Sequence, residues 1–146
     1  VIPRLDLRPG IARYVLDHGQ RAWPLEACGL LIGSHHNGVV RVDQAIESAN
    51  LAGEDAAKRF EVDPALLLRC QREVRAKGQA VVGVYHSHPN GQAQPSAQDL
   101  SGAWQDDFLW LIAGTMPDAP PVLAAYWRGK AARFDVMDCT LDGAEL

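Results

Sequence analysis

Three short apolar runs, Leu25 to Ile32, Ala80 to Tyr85 and Phe108 to Ala113, constrain this chain more than any other feature. Each has strand length and is flanked by proline, glycine or polar residues, so each reads as a buried strand. Segments of helical spacing separate them. Ile11, Tyr14, Val15 and Ala22 recur on one face after Pro9, and Pro24 closes that helix. Gly19 should weaken its last turn by about 1 kcal/mol relative to alanine. Asp63-Pro64 opens a second helix, an N-cap acceptor ahead of a proline whose missing N–H costs nothing there. Ala65, Leu66, Leu68, Cys70 and Val74 form its apolar face, and Gly78 is placed to end it. Ser96 opens a third, short helix towards Trp104.

Weaker signals complete the chain. Gly33 to Gly38 has turn chemistry and joins the first run to a partner strand, Val39 to Ile46. Asn50 to Arg59 has little periodicity and reads as an exposed loop, followed by a short strand at Phe60-Glu61-Val62. Thr115 to Pro121 is a proline-rich connection. Val122 to Trp127 and Ala132 to Val136 flank Gly129-Lys130 as a final hairpin. The predicted architecture is α/β: a mixed, largely antiparallel sheet of about six or seven strands sandwiched by helices. The length of 146 residues suits one domain, residues 1–146, large enough to need no disulfide staple.

Composition removes several classes of function. Fourteen basic against eighteen acidic residues give a net charge of −4 with no basic stripe, which argues against nucleic acid as a partner. No apolar run reaches the roughly 18–20 residues of a membrane span, and the N-terminus lacks a signal-peptide core. Cys28, Cys70 and Cys139 are odd in number and far apart, as expected of free thiols in a reducing, cytoplasmic setting. Cys28 reads as a packed core thiol. His35 and His36, in the expected turn, read as exposed.

The chemistry concentrates in His86-Ser87-His88-Pro89, at the end of the second apolar run. Strand side chains alternate faces, so His86 and His88 point the same way and can converge on one metal ion. After ten intervening residues comes Asp99, in the first turn of the third helix, where its carboxylate can fold back as a third ligand. Two histidines and one aspartate leave a position open for water, as catalytic sites do. A structural reading competes, because Ser96-Ala97-Gln98-Asp99 also fits a capping box. A cupin-type site would need a glutamate soon after the second histidine and another histidine later, and this chain has neither. Glu26 stands in the first apolar run, where a carboxylate is costly unless it is paired, functional or turned to water at an edge.

Glu26, His86-Ser87-His88-Pro89, Ser96 and Asp99 together resemble the JAMM motif of the JAB1/MPN metallopeptidase family. That pattern is an upstream Glu, then H-[S/T]-H-P, six residues, Ser, two residues, Asp, and every position matches. Glu26-Ala27-Cys28-Gly29-Leu30-Leu31 resembles the family's E-x-C-G-h-L strand, and the likeness extends over residues 10 to 136. It implies the family's three-layer, cytidine-deaminase-like fold. It implies one Zn²⁺ per chain on His86, His88 and Asp99 with a water as fourth ligand. Glu26 would be the general base and Ser96 the donor to the carbonyl oxygen. Small stand-alone bacterial members resemble this chain more than the eukaryotic relatives do, and the implied substrate is the tail of a ubiquitin-like or sulfur-carrier protein, cleaved at a peptide or isopeptide bond. Asn50 to Val62 and Asn90 to Pro95 are the expected walls of its groove. A non-catalytic MPN-type module and a RadC-like, DNA-associated role are the alternatives; the complete motif opposes the first and the negative charge the second.

Overall fold

The computed structural model describes residues 1–103, 105–137 and the backbone of 139–141. In chain order the elements are β1 (Arg4–Leu7), α1 (Ile11–Ala22), β2 (Cys28–His36), β3 (Val39–Ser48), α2 (Pro64–Arg75), β4 (Ala80–His88), α3 (Ala97–Gly102), β5 (Phe108–Met116), β6 (Ala119–Arg128), β7 (Phe134–Val136) and β8 (Cys139–Leu141). Among the described residues they form one eight-stranded sheet in the order β7-β6-β5-β4-β2-β3-β1-β8. β2 runs antiparallel to β3 and β4, and β6 antiparallel to β5 and β7. β4 and β5 are parallel, as are β1 and its two neighbours.

Helices cover both faces, as the apolar runs require. On one face α1 buries Ile11, Ala12, Val15 and Leu16 against Leu31, Tyr85, Leu109 and Leu111. On the other, Cys70 and Val74 of α2 pack with Leu30, Ile32, Val84, Trp110 and Ile112. Strand residues therefore alternate between two cores, not between core and water, which explains their unbroken apolar sequence. The predicted mixed sheet between helices is the observed fold.

The boundaries differ where local signals compete with pairing. β1 was not expected: four residues give too little periodicity, and Leu5 and Leu7 are buried only because β1 inserts beside β3. β2 runs on through His35 and His36, and the turn shrinks to Asn37-Gly38, both at positive φ (53° and 74°), as a two-residue hairpin demands. Both histidines remain exposed. The proline-rich segment is no long connection, because β5 reaches Met116 and β6 begins at Ala119 with a register shift between Gly114 and Met116. Pro120 and Pro121 sit in the part of β6 beyond its pairing with β7, where missing N–H groups are tolerated. Phe60-Glu61-Val62 forms no strand, only a single bridge between Val62 and Asn50. Trp104, the expected helix end, lies outside the described residues.

Two glycines set how closely elements approach. α1 continues through Gly19, where a Cβ would lie 3.0 Å from Thr115 Cγ2 and 3.1 Å from Ser87 Cβ. At Gly29 a Cβ would lie 2.3 Å from the Tyr85 ring and 2.4 Å from the Ile46 carbonyl oxygen. Tyr85 is fully buried and its hydroxyl is 2.7 Å from His18 Nδ1, so the ring cannot swing aside. Gly29→Ala should therefore cost about 1–3 kcal/mol or more. A urea midpoint within experimental error of wild type would show that the sheet can give at this point.

Candidate metal centre

β4 carries His86 and His88 on the same face, at the end of the strand where it is hydrogen-bonded to β5 opposite Ile112 and Gly114. Between them Ser87 points the other way. Its Oγ accepts from the Ala27 N–H at 2.8 Å, and its own N–H donates to the Ala27 carbonyl at 3.0 Å. This clamp, continued by the Cys28–His86 register of β2 and β4, brings Glu26 beside the histidines. Glu26 precedes β2 and does not lie within it: its N–H donates to the Ala56 carbonyl at 2.8 Å.

Asp99 comes from the first turn of α3 by way of the predicted capping box. Ser96 Oγ accepts from the Asp99 N–H at 3.0 Å, and Asp99 Oδ2 accepts from the Ser96 N–H at 2.9 Å. The box aims the carboxylate inward. Its Oδ1 is 3.1 Å from His86 Nε2 and its Oδ2 is 3.0 Å from His88 Nε2. The two Nε2 atoms are themselves 3.1 Å apart. Glu26, His86 and His88 form a second grouping, with one ligand atom of each within 4.8 Å of the others, and all four side chains are buried. This buried Glu26–His86–His88 group could hold a metal ion.

The donor set fits a cation. His88 Nδ1 lies 3.0 Å from the Gln92 carbonyl oxygen, an acceptor, so the proton of a neutral ring belongs on Nδ1. In that form its Nε2 presents a lone pair to the Asp99 carboxylate 3.0 Å away, a contact that becomes favourable with a second proton on the ring or with a cation between them. Separations of 3.0–3.1 Å are close to the edge of about 3.3 Å for a tetrahedron with bonds near 2.0 Å. Glu26 Oε1 and His86 Nδ1 are buried with no protein partner. Phe60 stacks on His86 at 4.3 Å between ring centroids, and Trp110 meets the same ring edge-on at 5.5 Å.

Electrostatics separates the two carboxylates. Burial pushes the Asp99 carboxyl up, but hydrogen bonds with His86 and His88 outweigh it and hold the group well below the ordinary range. Glu26 lacks such partners, and burial raises it from 4.5 to about 7. Burial lowers His86; for His88 the same tendency is overcome by Asp99, and the ring is raised. Cys28 takes no part. Burial lifts its thiol to about 12 and its Sγ faces the Ala49 carbonyl at 3.7 Å, so it is the core thiol expected.

A cleft of about 320 Å³ opens over the centre, lined by Glu26, His88 and Ser96 together with Ala57 and Lys58 on one side and Asn90, Gln92, Gln94 and Pro95 on the other. A larger, mostly apolar cavity of about 520 Å³ is lined by Asp99 together with Phe60, Val62, Leu67, Val84 and Trp110. The sequence reading missed Asn50, which organises the first wall. Its Nδ2 donates to the carbonyls of Glu26 at 3.0 Å, Arg59 at 3.1 Å and Ala56 at 3.4 Å. Its Oδ1 accepts from the N–H groups of Ala52 at 3.0 Å and Glu61 at 3.1 Å. The residue type at the mouth of an aperiodic loop was the available signal, since an asparagine side chain can stand in for backbone.

A mixed sheet whose central strand ends in two converging histidines, with one carboxylate from the next helix and another ahead of the neighbouring strand, defines an α/β protein built around a buried group of side chains that could hold a metal ion. The chain belongs to the Prok-JAB family, the prokaryotic homologs of the JAB domain, whose profile matches residues 10–129. It is similar to a desampylase of Haloferax volcanii, 29% identical over 134 residues that cover 89% of this chain and 92% of that protein. A CysO-cysteine peptidase of Mycobacterium tuberculosis is 28% identical over 111 residues, covering 76% and 73%. The solution structure of a Desulfitobacterium hafniense protein superposes with a TM-score of 0.81 at 28% identity, over 94% of this chain and 92% of that one.

Proposed function

We propose that residues 1–146 act as one zinc-dependent peptidase domain. Its substrate is the peptide or isopeptide bond that follows the C-terminal tail of a ubiquitin-like or sulfur-carrier protein. The observation that carries this reading is the convergence of His86, His88 and Asp99 at 3.0–3.1 Å, with the partnerless Glu26 oxygen beside them on the wall of a cleft. Asp99, held ionised, and the two imidazoles would hold the ion. Zinc, when bound, supplies Lewis-acid polarisation of water and carbonyl at neutral pH. Glu26, buried beside the histidines with Oε1 left without a protein partner, is placed to accept a proton from the attacking water and to pass it to the leaving amine nitrogen.

Ser96 is both a cap and a candidate donor. Its oxygen accepts from Asp99 N–H, which leaves its own O–H free to point at a carbonyl oxygen gaining negative charge. Ser96→Ala should therefore lose about 0.5–2 kcal/mol of stability and also lower kcat by roughly 10²–10³, with zinc content preserved. A kcat within about threefold of wild type would leave the serine as a cap alone.

The names of the relatives support the substrate class, one being a peptidase of a CysO–cysteine linkage. The two segments expected to flank the tail, Asn50 to Val62 and Asn90 to Pro95, both contribute to the cleft. An extended tail with glycines at its narrowest point would suit it. Among the described residues no helix is long and apolar enough to cross a membrane, and the free buried Cys28 and Cys70 agree with a cytoplasmic location. The direct test is to incubate the zinc-loaded protein with a ubiquitin-fold carrier extended beyond its terminal Gly-Gly. Mass spectrometry should find the carrier ending at Gly-Gly; an intact carrier would overturn the reading.

A further inference from the structure

Glu26 Oε1 is buried without a protein partner, so the direction of this carboxylate rests on how the backbone at Glu26 is held. Glu26 precedes β2, and both its N–H and its carbonyl bond to the segment that follows β3. That segment has little hydrophobic burial of its own, since between Leu51 and Arg59 only Ala52 and Ala56 are buried. One side chain gathers it. Asn50 Nδ2 donates to the Glu26 carbonyl at 3.0 Å and the Arg59 carbonyl at 3.1 Å. At 3.4 Å it also reaches the Ala56 carbonyl, the same oxygen that accepts from the Glu26 N–H at 2.8 Å. Asn50 Oδ1 accepts from the Ala52 and Glu61 N–H groups, which closes the loop on its other side. A single amide thus completes a ring of hydrogen bonds around the Glu26 backbone.

We infer that Asn50 is the positioning residue for Glu26, holding the backbone from which the carboxylate reaches the reacting water. The inference rests on the peptidase reading above and adds a second residue on which its proton transfer depends. Without the amide, the carbonyl oxygens of Glu26, Ala56 and Arg59 converge with no donor between them and repel one another. They must move apart, and the Glu26 N–H follows the Ala56 oxygen to which it is bonded. A general base works only within about 2.6–3.2 Å of the atom whose proton it takes. A misplacement of about 1 Å is therefore enough to cost up to about 100-fold in rate. The hydrogen bonds of Asn50 reach neither β4, which carries His86 and His88, nor α3, which carries Asp99. Loss of Asn50 should accordingly disturb the base and leave the metal ligands in place.

The test is a double-mutant cycle on the zinc-loaded protein, with the extended ubiquitin-fold carrier as substrate. Asn50→Ala should lower kcat about 10–100-fold, with KM within about twofold of wild type and zinc content unchanged. In a Glu26→Gln background the same change should alter kcat by less than about twofold, because a base already removed cannot be misplaced. A residue that only supports the fold would lower kcat by the same factor in both backgrounds, and that result overturns the inference. Zinc lost in proportion to activity overturns it as well. The metal-free protein gives a readout independent of turnover. Amide exchange at Glu26 should quicken about tenfold or more in Asn50→Ala, whereas Ser87, whose N–H bonds to the Ala27 carbonyl, keeps its protection. Unaltered exchange at Glu26 counts against Asn50. Asn50→Asp is the second variant: it keeps an acceptor for Ala52 and Glu61 but turns an oxygen towards the three carbonyls, so it should behave as Asn50→Ala does. If neither variant folds, Asn50 is a structural residue and the inference falls. A wild type that leaves the carrier uncut overturns the peptidase reading itself.

Discussion

Glu26→Gln should bind zinc as the wild type does yet cleave its substrate at least ~10²–10⁴-fold more slowly, the usual consequence of removing a general base. The amide has nearly the shape of the carboxylate and retains the backbone bonds to Ala56 and Asn50, so the site keeps its form. The metal should stay, because His86, His88 and Asp99 are mutually closer than the 4.8 Å that bounds the grouping with Glu26. Zinc content measured alongside turnover decides the matter: metal lost in proportion to activity would make Glu26 a ligand. The same variant carries a signature in the metal-free protein. Burial raises Glu26 from 4.5 to about 7, so the unfolded chain releases this proton at lower pH than the folded one. The resulting penalty on the wild type is absent below pH 4.5 and grows to its full size as pH rises through about 7. Metal-free Glu26→Gln should therefore melt above metal-free wild type at pH 8, with the gap closing by pH 4.5. A gap independent of pH would show that the carboxylate is not desolvated.

His88→Ala should reduce zinc from about one ion per chain to a small fraction of that, and activity with it, because two remaining ligands do not complete a site. His88 is the better choice for this test than His86. His86 is wholly enclosed by Phe60 and Trp110, and truncating it would add a packing defect to the loss of a ligand. Elemental analysis reads occupancy directly. Thermal melting gives a second readout: added zinc should raise the melting temperature of wild type in proportion to its binding and leave His88→Ala unmoved. Cys28→Ser should keep the metal, since the thiol faces backbone carbonyls and stays protonated at neutral pH. Full occupancy in His88→Ala, or its loss in Cys28→Ser, would put the ion elsewhere.

Much of this centre could be read from the chain because it is local. A strand has a period of two residues, so His86 and His88 share a face whatever surrounds them. A capping box is likewise written in four consecutive residues, and Ser96 and Asp99 form it as expected. The apolar runs identified the central strands for the same reason, being too long and too apolar for anything but burial on both faces. Other features depend on partners far away in sequence. Arg4–Leu7 is a strand only because β3 lies beside it, and the prolines at 120 and 121 fit β6 only because that stretch lacks an outer neighbour.

Sequence alone thus determined which side chains could bind a metal and that they would stand together at one strand end. Tertiary structure decided what faces them. Glu26 reaches the histidines through the pairing of Cys28 with His86, a register in which a slip of one residue would turn the side chains of β2 to the opposite face. Asn50 and Lys58 lie in a segment with no periodicity to reveal its path. Lys58 reaches the cleft because backbone hydrogen bonds and those of the Asn50 side chain, not hydrophobic spacing, fold that segment over Glu26. Hydrogen bonds of that kind leave no repeating pattern in a sequence, because each partner is fixed by position in space and not by position along the chain.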